Sequence, residues 1–370
     1  MMKVGKYLYI GLMALCLGAS CADNETPETQ GKEENKQEGE GEEIVSVYIP
    51  GVVTEDGYYA ALWVDGKAHF VGTSVEQGFQ TAPVLSAPSV LNSFCINGND
   101  VYIAGHTTSA PGVMDYYENA TIWKNGTIIF QEEQTNSVIN DICSSGSDVY
   151  AVGHINGSAF LWKNGKSVSL PNELNDGKLI YPNAVAVSNG DCYIMGTAMY
   201  KSYPAEYKTF LWKNQELLDF SLDGSGLCLA VKGDDVYCLF EKDDKTYLSK
   251  NGEITDVGLK TWTGFAGPHF QTLIVDGEDV YIVGQQNGIA KIWKNGVISL
   301  LTTEENVCAL TGIYVYDKDV YVVGYDFVYD ENQNQSTVMK LWKNGKENVI
   351  DHSWSHAYPF GIVVASKWIK

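Results

Sequence analysis

The chain contains no arginine: all 25 of its basic residues are lysine, set against 46 acidic ones. A guanidinium is the side chain that holds a carboxylate or phosphate through two parallel hydrogen bonds. Its absence argues against sites that grip acidic sugars on an arginine fork and leaves a neutral ligand or a protein partner easier to accommodate. The formal net charge of −21 opposes nucleic acid and anionic lipid surfaces. The sequence also lacks a phosphate-binding glycine loop, an HExxH helix and a nucleophile elbow. Nothing in it calls for a cofactor.

What the chain has in abundance is one phrase. A strand of the form Val-Tyr-x-x-Gly recurs with its tyrosine at Tyr48, Tyr102, Tyr150, Tyr193, Tyr237, Tyr281 and Tyr321, in steps of 54, 48, 43, 44, 44 and 40 residues. A second strand follows, carrying Trp63, Trp123, Trp162, Trp212, Trp293 and Trp342, with Ser249 in the fifth copy. A period in this range belongs to propellers and solenoids. Most copies close on Asn-Gly, as at Asn125-Gly126, Asn164-Gly165 and Asn251-Gly252. Asn-Gly tolerates the positive φ of a type I′ turn, so each predicts a two-residue hairpin. Four antiparallel strands per copy make one propeller blade.

The count predicts an all-β, seven-bladed propeller over residues 44–370. The chain enters at Ile44 on a second strand and leaves through Ile362–Ala365, which reads as a first strand. The C-terminal strand should therefore become the inner strand of the N-terminal blade, closing the ring and removing the open edge. The runs are apolar on both faces, as blades packed between blades require. The tryptophans are expected to fill the wedges between blades.

Residues 1–43 have a different character. Lys3 and Lys6 precede an apolar stretch from Tyr7 to Leu17, too short to span a bilayer, and Gly18-Ala19-Ser20 lead to Cys21. This resembles a bacterial lipoprotein signal over residues 1–20, which implies lipidation of Cys21. Residues 21–43 hold nine acidic residues and two lysines with almost nothing apolar, so they are expected to form a solvated, disordered tether.

Six cysteines follow Cys21, an even set that invites a disulfide reading in an exported protein. Yet Cys95 and Cys143 hold the same repeat position, and Cys192 and Cys238 replace Val or Ile of other copies. The expectation is free, buried thiols, with Cys228 opposite Leu239 rather than Cys238.

The turns on one face of the ring are short and uniform, while the loops on the other face vary. Variable loops on a rigid scaffold are where binding resides. They carry aromatic residues, among them Tyr200, Tyr207, Trp262, Phe327, Tyr329 and Trp354, suited to stacking on a sugar face or anchoring a protein. Aligning the repeats places Asn92, Asn140, Asn183, Leu227, Gln271, Thr311 and Phe360 at one inner-strand position near the mouth of the central channel. Amides there suit a hydroxyl-rich ligand or simply a water-filled channel. His106 and His154 occupy matching places in adjacent blades, but no third ligand with metal spacing follows, and no metal site is expected. Asp330, Asn332 and Asn334 have the odd-position spacing of a calcium loop, with Gln335 where its glycine belongs. Asp115, Glu241 and Asp326 fall on the variable face as candidate carboxylates for hydrolysis.

Gly-Asn-Asp-Val-Tyr-x-x-Gly followed by Trp-Lys-Asn-Gly resembles the repeat of uncharacterised surface lipoproteins of gut Bacteroidota, over all of residues 44–370. Pro50 and Ser249 depart from the pattern. The resemblance implies an outer-membrane, surface-exposed location and no established activity. The first expectation is thus a monomeric, membrane-anchored binding protein for a neutral glycan, not an enzyme. An interaction scaffold for an outer-membrane protein partner is the second, and a propeller glycoside hydrolase or lyase the third.

Overall fold

The computed structural model describes residues 42–54, 58–70, 89–108, 118–133, 136–174, 176–202, 205–261, 271–305, 307–348, 350 and 356–369. The expectations for the signal, for Cys21, for most of the tether, for Asp115 and for Trp262 and Trp354 lie outside these residues.

Seven antiparallel sheets follow one another along the chain. Blade one is residues 42–70 with 357–369, and blades two to seven are residues 89–131, 137–169, 181–223, 225–256, 273–305 and 307–348. In blades two to seven the strand order equals the chain order, four strands each. Blade one is closed by the C-terminus: Val363–Ile369 and Ala357–Pro359 both pair with the long strand Glu42–Thr54. The fold is a seven-bladed β-propeller. Its first strand starts at Glu42, two residues before the sequence-based boundary, because Glu42 and Glu43 pair with Ile369 and Trp368.

The repeated phrase is a clamp on the uniform-turn face. In blade six, the Asn295 carboxamide donates to Asp279 Oδ1 at 2.7 Å while its oxygen accepts the Val280 amide at 2.8 Å. Lys294 Nζ lies 2.7 Å from Asp279 Oδ2 and 4.8 Å from the centre of the Tyr281 ring. The same four side chains meet in blades two, three, four, five and seven. Asn125 (φ 50°) and Gly126 (φ 82°) show the type I′ geometry the hairpins need. In blade one, Val64 replaces the lysine, and Asp65 takes over the asparagine's task by accepting the Val47 amide at 2.8 Å.

The other half of the phrase packs blade on blade. Trp63, Trp123, Trp162, Trp212, Trp293 and Trp342 are all buried. Trp63 packs with Tyr321, Val323 and Met339 of blade seven, and Trp162 with Cys95, Ala104 and Ile122 of blade two. The glycine of the phrase makes room for this. A Cβ on Gly196 would stand 2.7 Å from the Trp212 ring and 2.8 Å from the Tyr181 carbonyl oxygen. Ser249 faces the same kind of seam, and Phe240 stacked on Tyr247 at 5.6 Å supplies the aromatic bulk nearby.

Among the described residues, Cys95, Cys143, Cys192, Cys228 and Cys238 are free thiols. Cys228 lies opposite Leu239, as the two-residue turn requires. Burial pushes the thiols of Cys95, Cys228 and Cys238 up to about 12.

Candidate ligand-binding face

In five of the seven blades the inner strand is bulged at the position that the repeat alignment singled out. The register shifts at Asn92, Asn140, Asn183, Leu227 and Thr311. A bulge leaves one residue outside the ladder and re-aims its side chain. Here the amides are re-aimed at the next blade. Asn92 donates to the Ile139 carbonyl at 2.7 Å, Asn140 to the Pro182 carbonyl at 2.7 Å and Asn183 to the Gly226 carbonyl at 2.9 Å. The amide donors expected to greet a ligand are thus engaged in stapling blades two to five. Thr311 is buried, and its hydroxyl lies 3.5 Å from the Val323 carbonyl. Gln271 contributes its backbone carbonyl to the Ile313 amide at 2.9 Å, and the Phe360 amide donates to the Pro50 carbonyl at 2.8 Å.

Beside the Asn140 staple, Asp141 reaches across three blades. Its carboxylate accepts Ser93 Oγ at 2.6 Å, the Ile142 amide at 2.9 Å and the Val185 amide at 2.8 Å. Burial nevertheless raises its pKa to about 6.

The variable face is shaped by two tall hairpins rather than by loops alone. In blade four, Asp191–Ser202 and Ala205–Lys213 stay paired as far as Ser202 opposite Ala205. In blade seven, Asp319–Tyr329 and Gln335–Lys343 stay paired as far as Tyr329 opposite Gln335. Tyr200, Tyr207, Phe327 and Tyr329 therefore stand on strands, where the sequence placed them in loops. Met199, opposite Tyr207, is 53 % exposed, and Tyr329 is 61 % exposed. Tyr181 and Tyr207 are exposed as well. Tyr200 is half-buried, with Lys178 Nζ 4.5 Å and Lys208 Nζ 5.3 Å from its ring centre. Phe327 meets Tyr325 edge-on at 5.8 Å, and Tyr325 meets Tyr358 of blade one at 5.2 Å.

The turn at the tip of the blade-seven hairpin closes on itself. Asp330 accepts the Asn332 and Asn334 amides and the Asn334 carboxamide, each at 2.8 Å. Those bonds occupy the carboxylate that a calcium reading needs. Among the described residues no group of three or more His, Cys, Asp or Glu side chains could hold a metal ion.

The residue after the glycine of the phrase varies around the ring, with histidine in both blades two and three: Val52, His106, His154, Thr197, Glu241 (after Phe240 in that copy), Gln285 and Tyr325. His106 Nε2 lies 3.8 Å from Glu118 Oε1, and the His154 ring meets Tyr181 edge-on at 5.2 Å. Burial lowers the pKa of both imidazoles, against the opposing pull of Glu118. Burial also raises that of Glu241. Asp326 instead pairs with Lys340 at 2.9 Å, with both side chains 12 % exposed. Sequence reasoning missed Met199 and Tyr181 as surface groups.

No protein-family model matches the chain, and no curated protein matches it. Among solved structures, it is similar to a subtype N11 neuraminidase-like protein of a flat-faced bat isolate, with 9% identity over 83% of this chain and 99% of that one and a TM-score of 0.43. It is also similar to the β-propeller domain of the Trilobed protease of Pyrococcus furiosus, with 10% identity over 84% and 93% and a TM-score of 0.49. Trypanosoma rangeli sialidase in complex with sialic acid matches at 12% identity over 80% of this chain and 54% of that one, with a TM-score of 0.38. At these identities and TM-scores the likenesses say nothing about activity.

Proposed function

We propose that the propeller is a surface-anchored binding module that takes a neutral glycan on its variable face. The observation that carries this reading is the exposure of Met199 and Tyr207 on the blade-four hairpin and of Tyr329 on the blade-seven hairpin of that face. Tyrosine rings with an apolar face and a polar tip suit stacking on pyranose rings. Among the described residues, the lysines around the blade-four hairpin lie beside carboxylates, Lys178 by Asp176, Lys201 by Glu206 and Lys208 by Asp223, which offsets the positive charge an acidic sugar would seek.

The chain's entry point supports the same orientation. The strand Glu42–Thr54 runs from the clamp face towards the variable face, because its partner Tyr58–Val64 turns back at Asp65-Gly66 on the clamp side. A tether lipidated at Cys21 would leave the clamp face and present the variable face away from the membrane. Twenty extended residues between Cys21 and Glu42 reach roughly 70 Å at most.

A glycan array and a gel-retardation panel of neutral polysaccharides test this reading. Wild-type protein should bind at least one, and Tyr207→Ala combined with Tyr329→Ala should weaken that binding at least tenfold. No binding across both panels sinks the reading. The exposed Met199 opposite Tyr207 favours one alternative, a protein partner gripped by the same hairpin. Cross-linking pull-down from native membranes, with loss of the captured partner in Met199→Ser, decides for that alternative.

A further inference from the structure

Asn-Gly occurs nine times in the chain. The pair is chemically labile. The glycine backbone nitrogen can attack the asparagine Cγ, because no Cβ on the glycine shields it. The new N–Cγ bond closes a five-membered succinimide, and ammonia leaves. Water then opens the ring to aspartate or isoaspartate, with no oxidant or reductant involved. The attack needs the carboxamide to swing over the glycine, so whatever holds the carboxamide slows the reaction.

Five of the nine pairs belong to the clamp, and Asn295 shows how they are held. Its carboxamide donates to Asp279 and accepts the Val280 amide, and its own backbone amide donates to the Val280 carbonyl at 3.2 Å. Asn125, Asn164, Asn251 and Asn344 make the same three bonds. Asn156 makes two: its side-chain oxygen accepts the Asn136 amide at 3.2 Å, and its backbone amide donates to the Asn136 carbonyl at 2.9 Å. Asn97 is half-buried and still within its strand, opposite Asp100.

Asn189 and Asn287 differ. Each opens a two-residue turn, Asn189 between Ser188 and Asp191 on the clamp face and Asn287 between Gln286 and Ile289 on the variable face. Both are exposed, and their φ angles of 52° and 57° match the left-handed backbone of the clamped asparagines. Among the described residues neither carboxamide has a hydrogen-bond partner. The turn geometry is shared, and what separates the two groups is the set of bonds that holds the asparagine.

We propose that Asn287 and Asn189 are sites of spontaneous deamidation, and that the clamp keeps its own five Asn-Gly turns intact. At Asn287 the product places a carboxylate on the variable face. It stands next to Gln286, whose carboxamide donates to the Gly258 carbonyl at 3.0 Å and accepts Lys291 Nζ at 2.6 Å. Isoaspartate there also lengthens the backbone of a turn built for two residues.

The full chain is incubated in mildly alkaline buffer, folded and in urea, and mapped by peptide mass spectrometry, each event adding about 1 Da. Each site's folded rate is taken relative to its own rate in urea. On that scale Asn287 and Asn189 should convert at least about tenfold faster than the five clamped asparagines. Asp279→Ala removes the acceptor of the Asn295 carboxamide and should speed conversion of Asn295 severalfold while leaving Asn287 unchanged. Lys294→Met, which keeps that bond, should speed neither. Clamped and unclamped sites that react alike in the folded protein overturn the proposal. So do Asn287 and Asn189 that stay intact while the urea sample converts. An Asn295 rate unmoved in folded Asp279→Ala overturns the protective role of the clamp, and if that variant does not fold the wild-type rates decide.

Discussion

Asn92 of blade two donates its carboxamide to the carbonyl of Ile139 in blade three, 47 residues away, at 2.7 Å. Asn140, the next residue after that carbonyl, repeats the bond to Pro182 of blade four, and Asn183 repeats it to Gly226 of blade five. Three bulges thus hand one hydrogen bond along four blades. The amides share a position because the propeller needs lateral ties between sheets that have no ladder in common. Hydrophobic wedges such as Trp212 give the seams their bulk, but they are non-directional. The staples fix how each blade is set against the next.

Replacing Asn92 by Ala should therefore cost stability. The Ile139 carbonyl would be left unpaired in a buried setting, a loss of about 1–3 kcal/mol. Urea denaturation should show the midpoint falling, and Asn140→Ala should behave alike. If either variant unfolds like wild type while losing glycan binding, the staple account fails.

The five described thiols should be silent in the folded protein. Cys95, Cys192, Cys228 and Cys238 are buried, and Cys143 is held well above its ordinary pKa, chiefly by burial. A thiol reagent at pH 8 should label none of them in native protein within minutes and all five after unfolding without reductant. Fewer than five labelled thiols after unfolding would mean that disulfides had formed.

What was legible in the sequence and what was not divide by range. The clamp is local: Asp279, Tyr281, Lys294 and Asn295 meet within one hairpin pair, so their spacing shows in the chain. Closure was legible because the copy count left a second strand at the start and a first strand at the end. The task of Asn92 was not, because an amide at a channel-facing register looks the same whether it meets a ligand or the next blade's backbone. The hairpins of blades four and seven were read as loops because their outer pairs, such as Lys201 with Glu206, are too polar to look like strand. Among the described residues, His106 Nδ1 and His154 Nδ1 are buried without a hydrogen-bond partner, a fact that depends on what surrounds each ring and that no periodicity reports.

Those histidines should make the fold acid-sensitive. Their folded pKa values lie below the ordinary 6.5, so the unfolded chain binds protons more readily in that window. Their contribution is complete above pH 6.5 and is lost as pH falls through the depressed values. Asp141 works in the opposite sense. Its folded pKa of about 6 lies above its ordinary 3.8, so its contribution is complete below pH 3.8 and is lost as pH rises through 6. Glu118 raises both imidazoles, and removing the imidazoles isolates their share. Between pH 7.5 and 5.0 the double variant His106→Gln, His154→Gln should lose less stability than wild type, measured by urea midpoints. Parallel losses in the two proteins would count against imidazoles whose pKa values burial depresses.

Within the clamp, the asparagine should matter more than the lysine. Asn295 sits at φ 48° in the turn, and its side chain serves both Asp279 and the Val280 amide. Alanine there would lose both bonds and strain the left-handed backbone, a cost of about 1–3 kcal/mol. Lys294 is exposed, and its ion pair with Asp279 and its seat over Tyr281 are screened by water. Lys294→Met should leave the urea midpoint almost unmoved, whereas Asn295→Ala should lower it visibly, and raising the salt from 0.05 to about 0.5 M should change neither ranking. A larger loss from Lys294→Met than from Asn295→Ala would mean that charge, rather than turn geometry, holds the repeated phrase together.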